Sequence, residues 1–148
     1  MVAITKAESI HLQEVEKLLL TVNLPIEGVK ENFSNFFIAK KQNMILGVAG
    51  IEIYEEVGLL RSVAIKPSSQ KQGIGQMMVN KIEEFAIKEG VKNLYLLTDT
   101  AEPFFLRLNY QKISRNRTDS RIKQTIEFTT ICTSATVMAK KLDASTSD

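Results

Sequence analysis

The sequence is poor in the residues that form disulfides and zinc sites. Among its 148 residues there is one cysteine, Cys132, and one histidine, His11. A single cysteine excludes an intramolecular disulfide, and this pair is too few for a Cys/His zinc site, which uses four ligands. We therefore expect no bound metal and a reducing, cytoplasmic environment.

Long apolar runs and an excess of one charge are also missing. No window approaches the roughly 20 apolar residues of a membrane-spanning helix, and residues 1–8 lack the apolar centre of a signal peptide. Lysine and arginine number 19 against 17 aspartates and glutamates, a formal net charge of +2. Such a weak field favours neither nucleic acid nor membrane as a partner, so any anion must be bound locally.

The composition is that of an ordinary globular protein. Apolar residues make up 44% and charged residues 24%, close to the average for soluble domains. A chain of this length can bury about two-thirds of the surface that its unfolded form exposes. We expect one domain over residues 1–142 and a flexible polar tail over residues 143–148.

Apolar periodicity predicts alternating strands and helices. Strands are expected at residues 2–5, 35–39, 44–54, 57–65, 91–98, 110–114 and 135–142, with a hairpin at Glu55 and Glu56. A first helix is expected between an N-cap at Ser9 and a stop at residues 23–25. Further helices are expected at residues 29–33, 76–88, 101–108 and 118–130, the second of these ending at Gly90.

The segment 67–75 joins a predicted strand to a predicted helix and carries Gly73 and Gly75. Glycine lets a backbone approach a ligand closely, and the first turn of a helix offers unpaired N–H groups to a pyrophosphate. The alternative is a tight turn without a ligand. Two common nucleotide-binding loops are excluded, because Gln76 follows Gly75 where a Walker loop has lysine, and Met78 stands where a dinucleotide fingerprint has its third glycine.

The pattern Gln70-x-x-Gly73-x-Gly75 resembles the acetyl-CoA-binding signature of the GNAT superfamily of N-acetyltransferases, and the flanking strand 61–67 and helix extend the similarity. The resemblance covers nearly the whole chain. It implies an α+β fold with a central, mostly antiparallel sheet of six or seven strands, flanked by about four helices. It also implies an enzyme that uses acetyl-CoA as co-substrate at a strand–loop–helix site.

Carried over position by position, the resemblance assigns cofactor contacts. The backbone of Val63, Ala64 and Ile65 would meet the pantetheine arm, and Thr98 takes the place of a family asparagine. The pyrophosphate would be held by Gln70, Lys71, Gln72, Gly73, Ile74, Gly75 and Gln76. Phe105 stands where many members have a tyrosine that protonates the thiolate, so general acid catalysis from this position is in doubt. Asn109 replaces a glycine and suits a left-handed backbone.

Acyl transfer to an amine requires a base for the amine, a hydrogen-bond donor for the developing oxyanion and an anchor for the acceptor. Glu52 lies in an apolar run, where burial would favour a general base, with Glu55 and Glu56 as alternatives; ordinary solvated or ion-paired carboxylates are the competing interpretation. The backbone N–H near Val63 or Ala64 is the expected oxyanion donor. Arg61 is either a substrate anchor or the partner of a neighbouring glutamate.

Three further residue groups have two interpretations each. Arg115, Arg117 and Arg121 form either a second basic cluster or a solvated loop. Cys132 is either near the acceptor or ordinary packing, and His11 is structural or exposed.

Residues 59–65, 94–101 and 122–135 are similar to the N-acetyltransferases associated with arsenic-resistance operons. That similarity implies a small, amino-acid-like amine as acceptor, bearing an extra oxyanion as in an organoarsenical or a phosphinic amino acid. Two alternatives stay open: an acyl-CoA-binding regulatory module with reduced catalysis, and an enzyme that acetylates proteins or peptides. The acyl length and the choice between monomer and homodimer are open as well.

Overall fold

The computed structural model describes residues 1–131 and 134–143, so Cys132 and residues 144–148 lie outside the described part of the chain. Seven strands are β1 (Ala3–Lys6), β2 (Phe36–Lys41), β3 (Met44–Tyr54), β4 (Val57–Ile65), β5 (Asn93–Thr98), β6 (Gln111–Ile113) and β7 (Thr136–Lys141). They form one sheet in the order β1-β2-β3-β4-β5-β7-β6. The β4–β5 pair is parallel, whereas β1–β2, β2–β3, β5–β7 and β6–β7 are antiparallel. The predicted α+β fold with a mostly antiparallel sheet is confirmed.

The α-helices are α1 (Leu12–Thr21), α2 (Ile74–Lys88), α3 (Glu102–Arg107) and α4 (Ser120–Lys123). Short 3-10 turns occur at Ser9–His11, Phe33–Asn35, Pro67–Ser69 and Arg115–Arg117, and a π-helical turn spans Glu127–Ile131. Among the helices of the described residues, none combines the length and the apolar character that crossing a bilayer requires.

Two predicted helices are wrong or shorter than expected. Residues 29–32 form turns that lead into the 3-10 turn at Phe33–Asn35, because so short a segment gains too few hydrogen bonds to nucleate an α-helix. The segment 118–130 divides into α4 and the π-helical turn instead of one helix.

The predicted N-cap at Ser9 is also wrong. Ser9 is the first residue of a 3-10 turn whose N-cap is Glu8. The backbone N–H of Glu8 donates to Nδ1 of His11 at 2.9 Å, and the backbone N–H of His11 donates to the Glu8 carbonyl at 2.8 Å. His11 is therefore a structural residue at the entrance to α1.

The described residues divide into two compact units, the first formed by Met1–Glu52 and Arg61–Glu83. Its core combines helix positions four apart, Val15 and Leu19, with side chains of β2 and β3. The buried members are Val15, Leu19, Val29, Phe33, Phe36, Ile38, Ile45, Val48 and Ala64. This spacing puts one face of α1 on the sheet, as the apolar pattern predicts.

The second unit contains Ile53–Leu60 and the chain from Glu84 onward. Its parallel β4–β5 pairing runs from Val57↔Asn93 to Leu60↔Leu96. Val57 and Leu59 are buried with Ile122 of α4, and Tyr54, Tyr95, Leu97 and Phe128 pack against them. Gly90 ends α2 with a φ of +87°, which confirms the left-handed cap that the sequence predicts.

Candidate functional site

The loop between β4 and α2 has an unusual backbone path. After the 3-10 turn at Pro67–Ser69, Lys71 has a φ of +67° and Gly73 a φ of +82°. Helix α2 then begins at Ile74, two residues earlier than predicted. Gly75 is therefore part of the first helical turn, and Gly73 is the glycine whose left-handed conformation the loop requires.

The start of α2 presents backbone donors at this loop. The first bond of the helix runs from the Met77 N–H to the Gly73 carbonyl at 3.1 Å. The N–H groups of Ile74, Gly75 and Gln76 have no intrahelical acceptor for that reason, and they lie at the positive end of the helix dipole. A Cβ placed on Gly73 would meet nothing within 4 Å. Backbone donors of this kind at a helix start suit a pyrophosphate.

The loop is held on the first unit by packing and by one side chain. Ile74 is 3% exposed. A Cβ on Gly47 of β3 would lie 3.7 Å from Cγ2 of Ile74 and 2.7 Å from Cδ1 of Ile65. Gln70 Nε2 donates to the Ile65 carbonyl at 3.1 Å. The side chains of Ile74 and Gln70 therefore anchor the loop, and Lys71, Gln72 and Gln76 are exposed.

Strand β4 carries a left-handed residue. Ser62 has a φ of +60°, an uncommon conformation for serine inside a strand. Residues two apart in a strand share one face only where the alternation is regular, and Ser62 interrupts that alternation between Arg61 and Val63. Ala64 is buried, whereas Val63 and Ile65 are half-buried. The described register with β5 ends at Leu60 and Leu96, so residues 63–65 lie beyond it.

Arg61 and Glu52 form a buried ion pair. Arg61 is 3% exposed and Glu52 5%, and Arg61 Nη1 lies 2.6 Å from Glu52 Oε2. Arg61 Nη2 donates to the Glu27 carbonyl at 2.6 Å, and Nε donates to Ser62 Oγ at 3.1 Å. Of the two interpretations of Arg61, the structure shows the second, an ion pair with a neighbouring glutamate.

The same guanidinium packs against the turn at residues 27–28. Gly28 has a φ of +83°, and a Cβ there would lie 2.6 Å from Arg61 Nη1. Arg61 therefore joins β3, β4 and this turn. The base role of Glu52 and the anchor role of Arg61 stay predictions, and either role would require this pair to open.

Arg121 is the centre of an ion-pair network in the second unit. Its Nε and Nη2 donate to the two carboxylate oxygens of Asp119, both at 2.9 Å. Its Nη1 contacts Glu55 Oε1 at 3.1 Å and also Glu56 Oε1. Hydrogen bonds from Arg121 hold the pKa of Asp119 and of Glu56 below their ordinary values. Glu55 and Glu56 are thus ion-paired carboxylates.

The three arginines do not form one basic cluster. Arg115 lies 4.6 Å from the centre of the Phe128 ring and donates to the Ala135 carbonyl at 2.9 Å. Arg117 is exposed, and Arg121 is neutralised by the network. Beside Arg121 is a pocket of about 220 Å³ lined by Tyr54, Arg121, Gln124 and Thr125.

The remaining cofactor candidates lie in the second unit, at the end of β5 and in α3. Thr98 Oγ1 accepts the Ala101 N–H at 3.0 Å. Phe105 is 6% exposed, with its ring edge-on to Phe104 at 4.9 Å and to Tyr110 at 5.6 Å. Asn109 has the expected left-handed backbone, with a φ of +75°.

Sequence reasoning missed several residues. Ser62 and Gly28 gave no local signal, because their conformations depend on the strand and on the arginine they contact. Asp119 could have been found, since it is the N-cap of α4 and accepts the Arg121 N–H at 2.9 Å, a role aspartate often has. Glu127, 5% exposed, is a further buried carboxylate that the sequence analysis did not select.

Comparisons with known proteins agree on one family. Residues 32–112, more than half of the chain, match the family described as "Acetyltransferase (GNAT) domain". An uncharacterised N-acetyltransferase of Chlorobaculum tepidum is 30% identical over 91 residues, 61% of this chain and 58% of that protein. The amino-acid acetyltransferase of Ralstonia nicotianae is 27% identical over 84 residues, 55% of this chain and 19% of that protein.

A solved structure has the same fold. N-acetylglutamate synthase from Neisseria gonorrhoeae, complexed with coenzyme A and N-acetyl-glutamate, has a TM-score of 0.85 and 18% identity, covering 97% of this chain and 35% of that chain. Among the two sequence relatives, the matched segment covers just over half of the Chlorobaculum protein and about a fifth of the Ralstonia protein.

The buried ion pair predicts a large effect of Arg61→Ala on stability. Removing one partner leaves the Glu52 carboxylate buried without its counter-charge, which costs about 3–5 kcal/mol of unfolding free energy. Urea denaturation measures this. The matched control is the double variant Glu52→Leu with Arg61→Leu, which removes both charges and should recover most of the loss. A loss below about 1 kcal/mol in Arg61→Ala would contradict the pair's structural role.

The Arg121 network predicts a stability difference that depends on pH. Because the folded pKa values of Asp119 and Glu56 lie below the ordinary 3.8 and 4.5, their contribution is present above those values and is lost as the pH falls through the folded values. Arg121→Gln should therefore lower the melting temperature by a few degrees at pH 7. The gap from wild type should close as the pH falls below about 4.

The exposed Arg117 offers the matched control for this measurement. Arg117→Gln removes the same charge from the 3-10 turn that precedes α4 and should leave the melting temperature unchanged at both pH values. A gap for Arg121→Gln that is as wide at pH 3 as at pH 7 would show that the carboxylates do not carry the effect.

Proposed function

Because the chain belongs to the GNAT family of acetyltransferases, we propose that it is an acetyl-CoA-dependent N-acetyltransferase acting on a small, amino-acid-like primary amine. The observation that carries the proposal is the loop before α2. Its left-handed Lys71 and Gly73 and the unpaired N–H groups of residues 74–76 form a cradle for a pyrophosphate.

In this proposal the cofactor is held mainly by backbone atoms. The N–H groups at the start of α2 bind the pyrophosphate, and the exposed Lys71 side chain adds positive charge beside it. The backbone of Val63, Ala64 and Ile65 pairs with the pantetheine arm, as a strand edge pairs with an extended ligand. The Ile65 carbonyl accepts from Gln70, which holds the loop against this strand. Thr98 and Phe105 complete the assigned contacts.

The chemistry needs no covalent enzyme intermediate. Bound acetyl-CoA supplies a thioester carbonyl, and the amine attacks this carbonyl directly. The Val63 N–H donates to the carbonyl oxygen as that oxygen gains negative charge. The chain also has to hold the amine unprotonated and within attack distance.

Two relatives support an amino-acid-like acceptor. The Ralstonia protein is an amino-acid acetyltransferase, and the Neisseria enzyme was solved with N-acetyl-glutamate. The similarity to the arsenic-resistance-associated N-acetyltransferases refines the proposal to an amino acid with an extra oxyanion, such as an arsinic or phosphinic analogue. The single cysteine supports a cytoplasmic setting, and both monomer and homodimer fit a single domain over residues 1–142.

One observation favours a second candidate, an acyl-CoA-binding regulatory module. Phe105 occupies the position of a proton-donating tyrosine, and its buried phenyl ring packs between Phe104 and Tyr110. A phenyl ring donates no proton. Such a module would bind acetyl-CoA without turning it over.

A thiol-release assay with acetyl-CoA tests both candidates. The acceptors are amino acids, phosphinic and arsinic amino-acid analogues, polyamines and peptides. We expect release of coenzyme A with one or a few amino-acid-like acceptors. Release with peptides alone would indicate a protein or peptide N-acetyltransferase. No release, together with a melting temperature raised by acetyl-CoA, would replace the enzyme with the binding module.

The cradle predicts that Gly73→Ala weakens coenzyme A binding. Alanine at a φ of +82° is strained by about 1–2 kcal/mol, and relaxing that strain moves the loop. We expect the Kd for coenzyme A, measured by titration calorimetry, to rise about tenfold, which corresponds to about 1.4 kcal/mol.

Gly90→Ala is the matched control for this variant. Gly90 has a φ of +87°, and a Cβ there also meets nothing within 4 Å. The two variants should lose similar stability, and Gly90→Ala should bind coenzyme A with the wild-type Kd. Equal affinity for coenzyme A in the two variants would show that the loop is not part of the binding site.

A further inference from the structure

The strained residue of β4 carries a hydroxyl group that the proposed chemistry has not yet used. Ser62 is 9% exposed and has a φ of +60°. Left-handed serine inside a strand is unfavourable and persists only when its surroundings enforce it. Such outliers concentrate at functional sites.

The hydrogen-bond pattern of this hydroxyl is one-sided. Ser62 Oγ accepts a hydrogen bond from Arg61 Nε at 3.1 Å. Within residues 1–131 and 134–143, the Ser62 hydroxyl hydrogen has no protein acceptor. The hydroxyl therefore accepts from Arg61 and is free to donate its own hydrogen to a ligand.

Arg61 fixes and polarises this donor. Its guanidinium is held by Glu52 at 2.6 Å and by the Glu27 carbonyl at 2.6 Å, so the Nε–H that reaches Ser62 has little freedom. A hydroxyl oxygen that accepts from a charged donor becomes a stronger donor itself. The hydrogen bond from Arg61, which is held by Glu52, therefore increases the partial positive charge on the Ser62 hydroxyl hydrogen.

We infer that the Ser62 hydroxyl is a second hydrogen-bond donor to the thioester carbonyl oxygen, beside the Val63 N–H one peptide unit away. The inference rests on the proposed acetyl transfer. As the amine nitrogen forms its bond to the carbonyl carbon, the π electrons of the carbonyl move to oxygen, and the two donors stabilise that charge. The electron pair on oxygen then re-forms the C=O bond as the C–S bond breaks, the sulfur leaves as a thiolate with the electron pair of that bond, and the nitrogen loses a proton to solvent. Ser62 keeps its own proton throughout.

In this proposal Ser62 and Arg61 have different roles. Ser62 touches the reacting carbonyl and is the catalytic residue, whereas Arg61 and Glu52 are positioning residues. A donor that acts on developing charge lowers the barrier of the chemical step and contributes little to ground-state binding. Its removal should therefore appear in kcat and leave the KM for acetyl-CoA nearly unchanged.

The test compares Ser62→Gly and Ser62→Ala with wild type. Glycine adopts a φ of +60° without strain and lacks the hydroxyl, whereas alanine lacks the hydroxyl and keeps the strain. Both should lower kcat about 100-fold, the effect of losing one oxyanion donor, with the KM for acetyl-CoA and the Kd for coenzyme A within about twofold of wild type. Ser62→Cys keeps a weak donor in place and should retain an intermediate kcat.

Gln42→Gly is the matched control, because Gln42 is an exposed residue with a φ of +57° in the β2–β3 turn. It relieves the same kind of backbone strain and should leave kcat unchanged. A wild-type kcat in Ser62→Gly would overturn the inference. So would a loss confined to KM or to coenzyme A affinity, which would indicate a structural role. Wild-type protein that releases no coenzyme A with any acceptor would instead overturn the proposed function, and the hydroxyl's role with it.

Discussion

The buried ion pair between Arg61 and Glu52 is the interaction on which the first unit depends. Both side chains are almost wholly removed from water, and a buried charge is tolerable only when it is paired and hydrogen-bonded. Arg61 meets that condition with groups from β3, β4 and the turn at Glu27. The residue that neutralises the charge therefore also sets the positions of three chain segments, and its Nε reaches the strained Ser62.

The proposed cofactor cradle depends on backbone groups instead, since its donors are main-chain N–H groups. Ile74 is buried beside Gly47 of β3, and this packing fixes the first turn of α2. The left-handed Lys71 and Gly73 then direct the chain into that turn. The exposed side chains of Gln72 and Gln76 can therefore vary with little effect on the cradle, whereas Gly73 and Ile74 cannot.

Much of the fold was predictable, because its signals are local. Strands β3 and β4 have the bounds that their apolar patterns predict, and Gly90 and Asn109 have the left-handed backbones expected of their residue types. The glycine spacing also indicated the loop in which Gly73 has a left-handed backbone. Failures occurred where local signals are weak: Ser9 is no N-cap, and residues 29–33 are too few to sustain a helix.

The amino-acid sequence alone determined the family resemblance, the strand–loop–helix segment and the approximate bounds of most strands, since each depends on residues close together in the chain. The charge partners depended on the folded chain. Arg61 and Glu52 are nine residues apart, and Arg121 meets Glu56 across 65 residues, so no periodicity relates them. The conformation of Ser62 also depends on the folded chain. Serine has no preference for a positive φ, and only the packing around Arg61 and β4 enforces it.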